Sequence, residues 1–196
     1  MLPEQVITLP TPRLSGAVSV EEAIGTRRSI RSFDRRKLSW EQIGQLAWAA
    51  QGITGDDRRW RVAPSAGALH PLELYVLFSD SSYHYDPVTH SLRFHQTVDL
   101  SEVADAALKQ PFIAQAACVF AFSGRVTLTA KVYGERALRY VCMDLGHAAQ
   151  NLLLQAAALG LAGTPVGAFD DAALRFALKL SPGDEPLYLV PVGYPK

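Results

Sequence analysis

One stretch narrows the choice of folds more than any other. From Leu138 to Leu159, apolar residues recur at Leu138, Val141, Leu145, Ala148, Ala149, Leu152, Ala156 and Leu159, the three-to-four spacing of a single helix face. Gly160 follows as a natural stop. The spacing predicts one long buried helix whose alanines permit close packing, at the domain centre or against a second subunit. Val141 to Leu161 is also the nearest the chain comes to a membrane-spanning run. Asp144, His147, Gln150, Asn151 and Gln155 interrupt it, so no span is expected.

The segments around this helix carry their own punctuation. Residues 1–18 hold three prolines and read as an extended leader; 19–196 read as a single domain. Ser19-Val20-Glu21-Glu22 and Ser39-Trp40-Glu41-Gln42 both have capping-box spacing. The first predicts a short helix to about Arg27, the second a helix with Ile43, Leu46, Ala47 and Ala50 on its apolar face and Gly52 as its stop. Strands are expected at 72–78, in a hairpin over 83–94 turned by Asp86-Pro87, at the apolar run 117–123, and in "PLYLVPV" near the end. A helix is expected over 101–110, and Asp170 caps another to about Leu180. Helices and strands mix without the strand-helix-strand rhythm of a parallel sheet. The fold class expected is therefore α+β, an antiparallel sheet flanked by helices.

Charge argues against bulk binding to nucleic acid or an anionic membrane. Nineteen basic side chains balance nineteen acidic ones, whereas nucleic-acid or anionic-membrane binding leaves a basic footprint. The start of the chain lacks the charged and apolar regions of a signal peptide, and Cys118 and Cys142 lie in apolar segments without C-x-x-C spacing. Both are expected to be buried free thiols in a cytoplasmic protein. The histidines at 84, 90 and 95 surround a turn without cysteine or carboxylate ligand spacing, so no metal site is expected. No dinucleotide-binding glycine motif, Walker sequence or nucleophile elbow is present.

What remains is "RRSIRSF" at 27–33. In an extended backbone Arg27, Ser29 and Arg31 face one way, and Arg28, Ile30 and Ser32 the other. Two guanidiniums and a hydroxyl on one side suit a phosphate, with Ile30 and Phe33 anchoring the segment to the core. From spacing alone, a solvated basic turn and a nucleic-acid arm stay open. "PSAGALHP" (64–71) and "GTPVGAF" (163–169) are small-residue turns where a backbone can approach a ligand closely, or plain tight connections. Asp144 and His147 read as surface or interface residues. Tyr133, Glu135 and Arg136 read as polar wall or capping.

Taken in order, "RRSIRSFD", "PSAGALHPLELYV", "YGERALRYVCMDLGHAAQNLLLQAAALGL" and "GTPVGAFDD" resemble the FMN-dependent nitroreductase superfamily, and within it the SagB-type dehydrogenases. The resemblance implies a nitroreductase-like fold and a homodimer with FMN at the subunit interface. It assigns Arg27 and Ser29, with Arg28 between them, to the cofactor phosphate and Arg31 to the ribityl chain or pyrimidine edge. Pro64, Ser65, Ala66 and Gly67 would meet the isoalloxazine from the other subunit, and Pro165, Val166 and Gly167 would pass close to the ring. Gly193 and Lys196 would lie near the phosphate. The implied activity is ping-pong hydride transfer from NAD(P)H to a small acceptor such as a nitroaromatic or quinone, with Tyr133 as the one candidate catalytic side chain. The azoline oxidases of the branch carry a Lys-Tyr pair where this chain has Val132-Tyr133, its lysine falling at Lys131. Oxidation of azoline or peptide-derived rings is the alternative, and a non-catalytic flavin-binding subunit the alternative of another class.

Overall fold

An apolar run without a polar side must be covered on both faces, and Cys118–Gly124 is such a run, buried at all seven positions. The structure, a computed structural model, describes residues 5–55 and 60–196. In chain order its elements are β1 (Val6–Thr8), α1 (Val20–Thr26), α2 (Trp40–Gln51), β2 (Ile53–Thr54), β3 (Trp60–Arg61), β4 (Leu72–Leu77), β5 (Ser82–Asp86) and β6 (Ser91–Gln96). There follow α3 (Leu100–Ala106), α4 (Phe112–Gln115), β7 (Cys118–Gly124), α5 (Val126–Tyr133), α6 (Ala137–Ala158), β8 (Ala162–Gly163), α7 (Asp171–Leu178) and β9 (Glu185–Gly193). Seven strands form one sheet in the order β1-β6-β5-β4-β7-β9-β8, every pairing antiparallel. The short β2 and β3 pair separately.

Alternation along β7 builds a core on each face. Phe120 and Phe122 join Leu46 of α2 and Leu145 and Leu152 of α6. Val119 and Ala121 join Val103 of α3, Ile113 of α4 and Leu174 of α7. Each large side chain so enclosed contributes about 1.5–3 kcal/mol. No helix among the described residues is long and apolar enough to cross a membrane.

The caps follow the sequence closely. Ser39 Oγ accepts from the Gln42 amide while Gln42 Oε1 accepts from the Ser39 amide, at 3.3 and 3.0 Å. At Ser19 only the first half of the box is made, from the Glu22 amide at 3.1 Å. Asp170 accepts from the Ala173 amide at 2.8 Å, and Asp86 Oδ1 takes the Val88 amide in the hairpin turn at 2.9 Å.

Three features differ from expectation. The helix expected over 101–110 ends at Ala106, because Leu108 and Lys109 take left-handed φ values of 56° and 58°. Residues 126–133 form α5, a helix absent from the pattern reading; Val126, Thr127, Thr129 and Val132 are β-branched and weak helix formers, and packing on α6 overrides them. Cys142 is exposed, and Cys118 alone is buried; helical rotation carries Cys142 off the face shared by Val141 and Leu145. The leader also contributes β1, which pairs with β6 at the sheet edge.

Beside β4 a charged cluster joins several elements. Glu73 is bonded by His84 Nε2 at 2.6 Å and paired with Arg125 at 2.5 Å, and Arg125 Nε reaches Asp184 at 3.2 Å. Burial alone would raise the Glu73 pKa; the His84 hydrogen bond and the charges of His84, Arg125 and Arg61 outweigh it and hold the carboxyl below its ordinary value.

Candidate functional site

The basic stretch leaves α1 in an extended path and is tied to two distant parts of the chain. Ser29 bridges to Gly163 and Phe33 to Pro195. Thr164 Oγ1 donates to the Ile30 carbonyl at 2.6 Å, the Lys196 amide to the Ser32 carbonyl at 3.2 Å, and the Asp34 amide to the Tyr194 carbonyl at 2.9 Å. Phe33 is the buried anchor, 5% exposed. Gly193 lies beneath it: a Cβ there would come within 3.1–3.2 Å of the Phe33 side chain, so glycine is what lets this segment seat.

The arginines differ in their commitments. Arg28 donates to the Gly25 and Arg27 carbonyls at 3.0 and 2.8 Å, closing the end of α1. The Arg31 guanidinium lies over the Phe112 ring, 5.8 Å from its centroid, close enough for cation–π attraction. Among the described residues neither Arg27 nor Arg31 has a carboxylate partner. Two uncompensated guanidiniums flanking an exposed Ser29 form a donor set suited to an anion with several oxygens. A cavity of ≈ 1280 Å³ meets this clamp only at Phe33 and Lys196 and runs along Arg35–Leu38 and Trp40. Arg27, Ser29 and Arg31 are not among its lining residues.

The turn from Pro64 to His70 is built around a buried carboxylate. Asp144 on α6, 5% exposed, accepts from Ser65 Oγ at 2.6 Å and from the Ala66 amide at 3.2 Å. Ser65 Oγ in turn accepts from the His70 amide at 3.0 Å. Gly67, Ala68 and His70 all have left-handed φ, at 61°, 53° and 47°, which costs energy at the two residues with a Cβ. Tyr133, the last residue of α5, comes against this turn: a Cβ on Gly67 would sit 2.7 Å from its Oη. Its ring packs edge-on against Tyr140 at 4.9 Å. Asp144 was expected at the surface or an interface; it is buried within its own chain, against the turn. The signal was available, since it shares its helix face with Val141 and Ala148, where an ionisable side chain needs a partner.

Pro165, Val166 and Gly167 run beside β9. Val166 exchanges both backbone bonds with Leu189, so its amide is spent. Gly167 is exposed, and no partner for its amide is found among the described residues. Clamp and turn lie at opposite ends of the sheet. The turn leads into Leu72, opposite Gly124 at one end of β7; the clamp joins Gly163 and Gly193 near Val192, which lies opposite Cys118 at the other end. That separation is about 20 Å at strand rise. Lys131 is exposed, and two residues along α5 put it about 200° around the helix from Tyr133. The segment is helix rather than loop, so no slip of one residue aligns the two.

The nitroreductase family model matches residues 24–194. A presumed nitroreductase of Methanocaldococcus jannaschii is 40% identical over 183 residues, 90% of this chain and 91% of its own length. The crystal structure of another presumed nitroreductase, from Ralstonia eutropha JMP134, is similar at a TM-score of 0.90 and 27% identity, over 100% of this chain and 92% of that one. An NADPH:FMN oxidoreductase from Vibrio harveyi, solved with NAD+, has a TM-score of 0.68 at 22% identity over 90% of this chain and 69% of its own, a likeness of fold.

Proposed function

Because this chain belongs to the nitroreductase family, we propose that it is an FMN-dependent oxidoreductase passing hydride from NAD(P)H to a small acceptor such as a nitroaromatic or quinone, in a ping-pong cycle. The observation that carries the reading is the pair Arg27 and Arg31, without a carboxylate partner among the described residues, flanking Ser29 on a segment held by Gly163, Thr164 and Lys196. FMN, when bound, supplies the hydride chemistry. The chain's residues hold it: Arg27 and Ser29 take the phosphate, Arg31 supports the polar side of the cofactor, and the Gly167 amide is free to donate. Tyr133 Oη, against Gly67, is the candidate side-chain proton source beside the turn; bulk water is the other.

The dimer belongs to the same proposal. One chain's turn and clamp stand about 20 Å apart. A two-fold partner would bring one chain's turn to the other's clamp, since an isologous contact exchanges the two ends. Leu138, Cys142, Met143, Gly146 and His147 line an exposed stripe on α6 that could form this contact. A second reading places the chain in the SagB-type branch, oxidising azoline rings. The motif from "PSAG" to "HPLE" favours it, but ring oxidation needs a base beside the cofactor, and Lys131 does not share the face of Tyr133.

The test is the absorption spectrum of the purified protein with the mass of the released cofactor, then anaerobic mixing with NADH, NADPH and azoline peptides. Bleaching by a nicotinamide and recovery with a quinone is expected. A colourless protein that does not take up FMN, or one bleached only by the peptides, defeats the first reading.

A further inference from the structure

We propose that Asp144 is a positioning residue for the flavin-facing turn, acting through Ser65 Oγ and the Ala66 amide; this rests on the reading that Pro64–Gly67 contacts FMN. A carboxylate is expensive to bury, and burial is ordinarily offset by a cation. Among the described residues Asp144 pairs with none. Its partners are two donors on one turn, at 2.6 and 3.2 Å. An ionised carboxylate only accepts, so the Ser65 hydroxyl proton must point at Asp144, which leaves the Ser65 lone pairs to the His70 amide at 3.0 Å. The chain of bonds therefore has one sense, from His70 through Ser65 to Asp144.

That sense closes the turn at both ends. It joins residues 65 and 66 to the left-handed His70 across the left-handed Gly67 and Ala68, and the turn's remaining backbone bonds are the Ala68 amide to the Ser65 carbonyl and the Leu69 amide to the Ala66 carbonyl. Tyr133 Oη stands over the space that Gly67 leaves, so a turn that relaxed outward would meet that hydroxyl. Asparagine has nearly the shape of aspartate but not its chemistry. Its single side-chain oxygen can accept from either the Ser65 hydroxyl or the Ala66 amide but not both, and its amide nitrogen then faces the other donor, so one of the two bonds is lost. Asp144 thereby sets the path of a backbone it does not belong to.

The experiment compares FMN dissociation constants and the visible circular dichroism of bound flavin in wild type, Ser65→Ala, Asp144→Asn, the double variant, and Arg27→Ala. The positioning role predicts that Ser65→Ala and Asp144→Asn each weaken binding about tenfold or more and alter the dichroism in the same way. The double variant should be no weaker than Asp144→Asn alone, because both act through one chain of bonds. Arg27→Ala should weaken binding while leaving the dichroism of the bound fraction unchanged. Should Asp144→Asn fail to fold, Ser65→Ala carries the same spectral prediction. Wild-type affinity and dichroism in Ser65→Ala, or losses that simply add, overturn the proposal while leaving the flavin reading intact. Failure of the wild type itself to bind FMN removes both.

Discussion

Arg27 and Arg35 belong to one basic stretch, yet only Arg27 adjoins the tie between Ser29 and Gly163. Arg27→Ala should weaken FMN binding by about 1.5–3 kcal/mol, ten- to a hundredfold, and Arg35→Ala should leave it nearly unchanged, as fluorescence titration will show. Gly67 offers a sharper test. A methyl group there meets Tyr133 Oη at 2.7 Å and takes a φ of 61°, so Gly67→Ala should destabilise the turn through both contact and backbone. In a Tyr133→Phe background the contact part is relieved and the backbone part, about 1–2 kcal/mol, remains; urea unfolding of the four proteins separates them. The extended path of 27–33 and its buried anchor Phe33 were legible because alternation around Ser29 sets them without any tertiary knowledge. Asp144 was not, because a side chain's partner across a fold has no signature in local spacing.

Elements defined by their own caps and periods were legible in the same way. α2, with its serine and its glycine, stands where spacing puts it, and so does α6, except that Leu138, expected on its buried face, is 54% exposed. α5 was hidden because its helicity comes from α6 rather than from its own threonines and valines. The Glu73 cluster, which joins β4 to β5 and to the start of α5, was equally invisible, since its members are scattered along the chain. It gives the fold an acid dependence of definite sign. The folded Glu73 carboxyl lies below its ordinary value, so its contribution is complete above an unfolded pKa of about 4.3 and is lost as pH falls through the lower, folded value. Urea midpoints measured across that window should fall with acid in the wild type and fall less steeply in Glu73→Gln. Parallel slopes would place the acid sensitivity elsewhere.

For the molecule as a whole, the two thiols report on assembly. Cys118 is buried, and burial pushes its thiol up to about 12, so it should stay silent to thiol reagents until the protein unfolds. Cys142 lies on the exposed stripe of α6. A monomer should therefore titrate one thiol in the native state, and a dimer closed on α6 should slow that reaction as concentration rises. Light scattering on the same samples checks the mass, and a monomer holding stoichiometric FMN would end the two-fold reading. The ties of the clamp also bear on how the protein comes into being. Thr164 meets Ile30 across 134 residues, and Ser32 waits for Lys196, so on the ribosome the arginines emerge early and stay unmoored until β9 has left the exit tunnel. A stalled or prematurely released nascent chain would carry the whole basic stretch and still fail to retain flavin. The yellow colour would then mark a chain synthesised through β9.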